Sequence, residues 1–160
     1  MIEVCFYHLT RRRLGSALPV LLEKSLARGW RVVVQAESEA RVKALDTELW
    51  AYEAEKFLPH GSKSDGAPHS QPIYLTAEND NPNAADVRFF VGGVVPGPAL
   101  RDPSAAPKTR AVLMFNGNDE TELGSARAQW KDLRDEGFEL VYYQENEGGG
   151  WVEKAREKKK

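Results

Sequence analysis

Short continuous apolar runs alternate along this chain with stretches whose apolar residues recur at three- and four-residue spacing. The continuous runs read as strands buried on both faces, the spaced ones as amphipathic helices. Glu3–Leu9 (EVCFYHL) predicts a first strand, and Leu14 to Arg28 a helix with Leu18, Leu21, Leu22 and Leu26 on one face and Gly29 as its stop. Pro19 falls within the first turns of that helix, where a missing N–H is tolerated. Arg31–Ala36 (RVVVQA) predicts a second strand. Ser38 then caps a helix running to about Ala51, with Val42, Leu45 and Leu49 as its stripe. Ile73–Glu78, Val87–Gly93 and Ala111–Phe115 predict three more strands. Asp119–Glu136 predicts a helix closed by Gly137, and Phe138–Gln144 a last strand.

Strands alternating with helices predict an α/β fold: a central, mostly parallel sheet with helices on both faces, Rossmann-like and three-layered. At 160 residues the chain fits one domain. We expect residues 1–146 to form it and residues 147–160 (EGGGWVEKAREKKK) to be a flexible Gly/Lys-rich tail. Two connections read as non-helical. Pro59–Pro72 is rich in Gly and Ser and holds His60 and His69; Pro96–Thr109 carries four prolines, which argue against a long helix.

The formal net charge of −2 gives no global field for nucleic acid or membrane, so electrostatic function must be local. A single cysteine, Cys5, excludes an intramolecular disulfide and suits a reducing cytoplasm. No apolar run nears the roughly 18 residues of a membrane span, and the basic run follows the first apolar one, the wrong order for a secretory signal. The expected location is cytoplasmic.

An α/β sheet invites a nucleotide, yet the motifs that would hold one are missing. LTRRRLGSAL after the first strand has one glycine where a dinucleotide fingerprint needs three, and there is no phosphate loop and no G-x-S-x-G elbow. In GGVVPGP (Gly92–Pro98) the prolines remove donors that a phosphate cradle uses. Cys5 and His8, three apart on a strand, point to opposite faces and make a poor catalytic or metal pair. His60 and His69 lack the carboxylate or thiolate company of a metal site. In NGNDETE (Asn116–Glu122) the residue types suffice to cap the following helix. We expect no cofactor, no metal and no catalytic residue. The alternative is a small nucleotide- or phosphate-handling enzyme using the strand-end loops Asn116–Asp119 and Gly92–Gly97.

Two surfaces stand out. On the Asp119–Glu136 helix, Leu123, Ala126, Trp130 and Leu133 form the apolar stripe, and Arg127, Lys131 and Arg134 cluster along one flank. A cationic edge beside an indole suits a peptide that carries acids and an apolar end, although a merely solvated face has the same pattern. In LWAYEAEKFLPHG (Leu49–Gly61), Trp50 lies at the edge of its helix stripe and Phe57 sits before Leu58 and Pro59. Both are lateral core or anchors for a protein partner.

Three strings in order resemble the chi subunit family of bacterial DNA polymerase III: VCFYHL at the start, SEARVKALDTELWAYEAEKFLPHG with its W-x6-F-x-P-H element, and VLMFNGNDETELGSARAQWKDLRDEGFELVYYQ. The resemblance spans most of the chain and implies a non-catalytic accessory subunit in DNA replication. It implies partners too. One is the acidic, phenylalanine-ended C-terminal tail of single-stranded DNA-binding protein. Another is the psi subunit of the clamp loader, or a helicase-like repair protein on the same surface. Single-stranded DNA would be reached only indirectly, the chain being a monomer or part of a hetero-oligomer. By motif match, Arg127, Trp130 and Asn116 fall at the tail site, with Lys131 and Arg134 as added charge, and Trp50, Phe57 and Pro59 at the psi or helicase surface. The chain departs from the pattern at Leu123, where some relatives carry a lysine one turn before the arginine.

Overall fold

A computed structural model describes residues 2–52 and 58–158. The predicted strands and helices form with ends shifted by a few residues, because each apolar run finds a buried place in one sheet. In chain order they are β1 (Glu3–Leu9), α1 (Leu14–Ala27), β2 (Val32–Gln35), α2 (Glu39–Ala51), β3 (His60–Ser62), β4 (Ile73–Thr76), β5 (Val87–Phe90), α3 (Gly97–Arg101), β6 (Arg110–Asn116), α4 (Glu120–Asp135), β7 (Glu139–Glu145) and β8 (Trp151–Glu157). The sheet order is β3-β4-β2-β5-β6-β1-β7-β8. Pairing is parallel throughout except between β7 and β8.

Alternation along the strands divides the core in two. On one face Leu18 and Leu22 of α1 and Val42, Leu45 and Leu49 of α2 pack over Val32, Val34, Ile73 and Leu75. On the other, Ala126 and Leu133 of α4 and Leu100 of α3 cover Val4, Phe6, Leu113 and Leu140. This is the three-layer α/β arrangement expected. Ser38 caps α2 through Arg41 N. The cap of α4 is Asp119, which accepts from the N–H groups of Thr121 and Glu122, with the two asparagines outside it. At the other end of α4, Gly137 takes φ 92° while Gly137 N and Phe138 N donate to Arg134 O and Leu133 O. This paired closure of a helix depends on a residue free to adopt positive φ.

The structure adds two strands to those read from the sequence. β3 lies inside the Pro59–Pro72 connection, which also holds 3₁₀ turns at Lys63–Asp65 and Pro68–Ser70. Its three residues gain strand geometry by pairing with β4. β8 lies in the segment expected to be a flexible tail. Asn146 N donates to Gly150 O and Asn146 Oδ1 accepts from Gly150 N, so the glycine triplet turns a hairpin. Trp151–Glu157 then pairs antiparallel with β7, with a register shift at Tyr142/Tyr143. The charges that suggested a tail are those that protect an exposed edge strand from pairing with other chains.

One buried position breaks the apolar rule. Arg88 on β5 is fully buried, and its guanidinium donates to Gln35 Oε1 and to the carbonyls of Glu78, Asp80 and Ala105. Burial lowers its pKa to about 10, so it remains charged at neutral pH. It ties the 78–86 connection and the 102–106 turn to the sheet.

Candidate functional site

The ledge on α4 has the layout its helical spacing predicts. Ala126 and Leu133 are buried, Leu123 and Trp130 are half-buried against the core, and Arg127, Lys131 and Arg134 are exposed. The Trp130 ring meets Phe6 edge-on at 5.2 Å and Tyr142 at 5.7 Å, so two β-strand aromatics fix the indole in place. On the far flank Gln129 accepts from Gly97 N and Glu136 forms a forked pair with Arg101. Those contacts bind α4 to α3 and leave the cationic flank outward. Leu123 contributes packing against the core.

Among the described residues neither Arg127 nor Lys131 has a carboxylate within ion-pair distance, whereas Arg134 meets Asp135 at 3.5 Å. A guanidinium with no internal counter-ion is free for an anion from outside. Its field is felt by two residues beneath it. His8 Nδ1 lies 2.8 Å from Tyr142 Oη, and its other edge abuts Gly117. Burial, and then the charge of Arg127, lower the His8 pKa below its ordinary value. Burial raises the Tyr142 pKa, and Arg127 partly opposes that rise. His8 lies on the face opposite Cys5, as the strand spacing predicts, and within reach of the charge of Arg127, which the spacing does not show. The pattern was present: Phe6 and His8 share a face, and Tyr142 pairs with Phe6 across β1 and β7.

Asn116 takes a different place from the ledge. It ends β6 exposed, with its Oδ1 accepting from Asn118 N and its N–H donating to Glu122. It lines a cleft of about 420 Å³ at the carboxyl ends of β1 and β6, together with Arg11, Arg13, Arg41 and Gly92. Arg127 and Trp130 are not among the residues lining that cleft. The acids there are engaged: Asp119 caps α4 and Glu122 accepts from Asn116. Nearby, Glu145 at the end of β7 accepts from the backbone of Thr10, Arg11 and Arg12 and from the Arg12 side chain. Burial disfavours its ionised form, but those donors prevail and hold its pKa down to about 2. This clamp on the loop after β1 escapes sequence reading, since its partners are more than 130 positions apart.

At the second surface Trp50 is 59% exposed, while Leu49 before it is buried. The indole rests on the buried His60 ring at 5.0 Å. His60 Nδ1 donates to Leu58 O, and Nε2 lies 3.0 Å from Asp46. Pro59 is half-buried alongside. Phe57 lies outside the described residues. Cys5 is buried, and burial pushes its thiol up to about 12, far from a reactive thiolate. Among the described residues no group of three or more His, Cys, Asp or Glu is placed to hold a metal ion, and no helix is long and apolar enough to cross a membrane.

With the geometry in place, the relatives can be set beside it. The sequence model of the family described as "DNA polymerase III chi subunit, HolC" matches residues 1–141. The chain is 36% identical over 91 residues to the "Probable DNA polymerase III subunit chi" of Rickettsia prowazekii, an alignment covering 57% of this chain and 55% of that protein. It is 24% identical over 143 residues to the "DNA polymerase III subunit chi" of Pseudomonas aeruginosa, covering 88% of this chain and 94% of that one. The chain thus aligns with about half the length of the first relative and nearly all of the second. It belongs to the DNA polymerase III chi subunit family, which serves bacterial DNA replication.

Proposed function

We propose that this chain is a non-catalytic, cytoplasmic adaptor with two protein-binding surfaces. The Arg127–Trp130 ledge takes the acidic, phenylalanine-ended C-terminal tail of single-stranded DNA-binding protein. The Trp50 surface, with Phe57 and Pro59, takes psi of the clamp loader or a helicase-like repair protein. The protein then tethers that second partner to single strands coated by the tail's owner. The observation that carries this reading is the pairing of an unneutralised guanidinium with a fixed indole on one helix face, Arg127 three residues before Trp130. A carboxylate accepts charge-assisted hydrogen bonds from Arg127, and a terminal benzyl group lies against Trp130. Lys131 and Arg134 add a field that attracts further acids. Asn116 contributes at the strand-end border, by its cleft, rather than within the ledge.

Titration calorimetry with a synthetic acidic peptide ending in Phe tests this. Charge-assisted hydrogen bonds contribute roughly 1.5–3 kcal/mol, so Arg127→Ala should weaken binding by roughly ten- to a hundredfold. Added salt should weaken the wild-type complex. Wild-type affinity retained in Arg127→Ala contradicts the ledge as the tail site.

A further inference from the structure

On the opposite face of the sheet lies a second concentration of charge and aromatic surface. α1 packs chiefly over β2 and β6, and α2 over β4. On that face Tyr7, Tyr143 and Trp151 of β1, β7 and β8 pack on one another beside the end of α1. A cleft of about 310 Å³ opens there, between the C-terminal end of α1 and the β7–β8 hairpin. Its aromatic wall is Tyr7, Trp30, Tyr143 and Trp151, all partly buried against the core. Tyr7 and Tyr143 stack at 5.0 Å, and Trp151 stands edge-on to Tyr7 at 4.9 Å. Its cations are Lys24, Arg28 and Arg110, and no carboxylate lines it.

In a chain of net charge −2, a lining of three cations and no carboxylate is a local reversal of sign. Lys24 and Arg28 have no ion pair among the described residues, and Arg110 meets Glu3, outside the lining, at 3.3 Å. Glu3 is shared with Arg156, which also pairs with Glu153. The guanidinium carbons of Arg28 and Arg110 sit 4.8 and 5.2 Å from the Trp30 ring centre. Arg110 Nε is buried there with no acceptor. The helix closure at Gly29, in which Trp30 N donates to Ser25 O, holds the indole at the rim.

We infer that this cleft binds single-stranded nucleic acid, one nucleotide seated against the aromatic wall and adjacent phosphates on Lys24, Arg28 and Arg110. Aromatic platforms beside a cationic track are what unpaired strands require, since every base has a face to stack and every link carries a charge. An extended peptide fits less well. Apart from the outer edge of β8, the backbone N–H groups around the cleft belong to α1, its closing turn or paired strands and are already used, which leaves an extended peptide little main chain to pair with. The inference does not depend on the α4 ledge, which lies on the other face.

The test is fluorescence anisotropy of a labelled oligothymidylate of about 15 nucleotides with the full chain at low salt. We expect binding whose logarithm falls with log salt at a slope of about −1.4 to −2, as two phosphate contacts on Lys24 and Arg28, or a third on Arg110, require on a single strand. The doubly substituted Lys24→Glu/Arg28→Glu protein, altered only at exposed positions, should keep its melting temperature and bind about tenfold or more weakly. Trp151→Leu should weaken binding with less change in slope. Thymidine monophosphate should compete poorly, and Arg127→Ala should bind as wild type. Failure of the oligonucleotide to bind at low salt overturns the inference. So does wild-type binding by the folded double variant, or competition by the mononucleotide at concentrations equal to the oligonucleotide's. An acidic peptide that loses affinity in the double variant while the oligonucleotide does not would assign the cleft to peptide instead.

Discussion

Glu145 holds Arg12: the carboxylate at the end of β7 accepts from Arg12 Nε and from three successive backbone N–H groups of the loop after β1. Arg12 continues to Gly149 O and lies 5.3 Å over the Trp151 ring. One carboxylate therefore fastens the strand-end loop to the β7–β8 hairpin, and the cleft beside β1 keeps its arginines in place because of it.

Glu145→Gln should destabilise the protein by about 2 kcal/mol, less than a fully buried pair because Arg12 keeps some contact with water. The pH dependence follows from the depressed pKa. The unfolded carboxyl titrates near 4.5 and the folded one near 2. The unfolded chain therefore binds more protons in that window. The stabilisation is complete above about 4.5 and is lost as pH falls toward 2. Denaturant melts of the wild type and Glu145→Gln across that range should converge at the acid end. Curves that remain parallel contradict the clamp.

Arg127→Ala should raise the His8 pKa, because one of the two influences lowering it is removed. Burial, the larger one, remains, so the new value should still lie below the ordinary 6.5. A pH titration of the His8 ring signals by NMR reads both effects. An unchanged His8 would contradict an electrostatic coupling between the two.

The two tryptophans proposed for partners should separate stability from binding. Trp130→Ala removes an indole packed on Phe6 and Tyr142 and should cost about 2–3 kcal/mol, somewhat under the range for fully buried aromatics. Trp50→Ala removes an exposed ring and should cost less than about 1 kcal/mol. Chemical melts decide this directly. A large loss for Trp50→Ala would return that residue to the core.

Deleting residues 151–160 should lower the melting temperature and promote aggregation. It removes β8 and Trp151, exposing the edge of β7 and the Tyr7–Tyr143 stack. Light scattering on heating, compared with the full chain, measures it. A truncated protein as stable and monodisperse as the original would show that β8 adds nothing.

The elements legible in the sequence were those whose burial is continuous. VVV in β2 and the Leu18–Leu22 stripe of α1 can be buried in few ways, so their pattern nearly dictates their place. β3 and β8 were illegible for the opposite reason. Three residues of β3 carry no apolar signal, and β8 has polar side chains because it is an edge. Arg127 and Trp130 were readable because helical spacing is local. What lies under and behind them was not. The coupling of His8 to Arg127, the hold of Glu145 on the Arg12 loop, and the meeting of Trp30 and Trp151 in one cleft each depend on elements brought together from distant parts of the chain.

The four tryptophans sample separate surfaces: Trp130 the α4 ledge, Trp50 the end of α2, and Trp30 and Trp151 the cleft on the opposite face. Their indole N–H signals, followed by NMR while an acidic peptide ending in Phe is added, give the most direct test of the adaptor reading. The Trp130 signal should move in proportion to saturation while the other three stay. A peptide that binds with Trp130 unmoved, or that moves Trp50, Trp30 or Trp151 in its place, contradicts it.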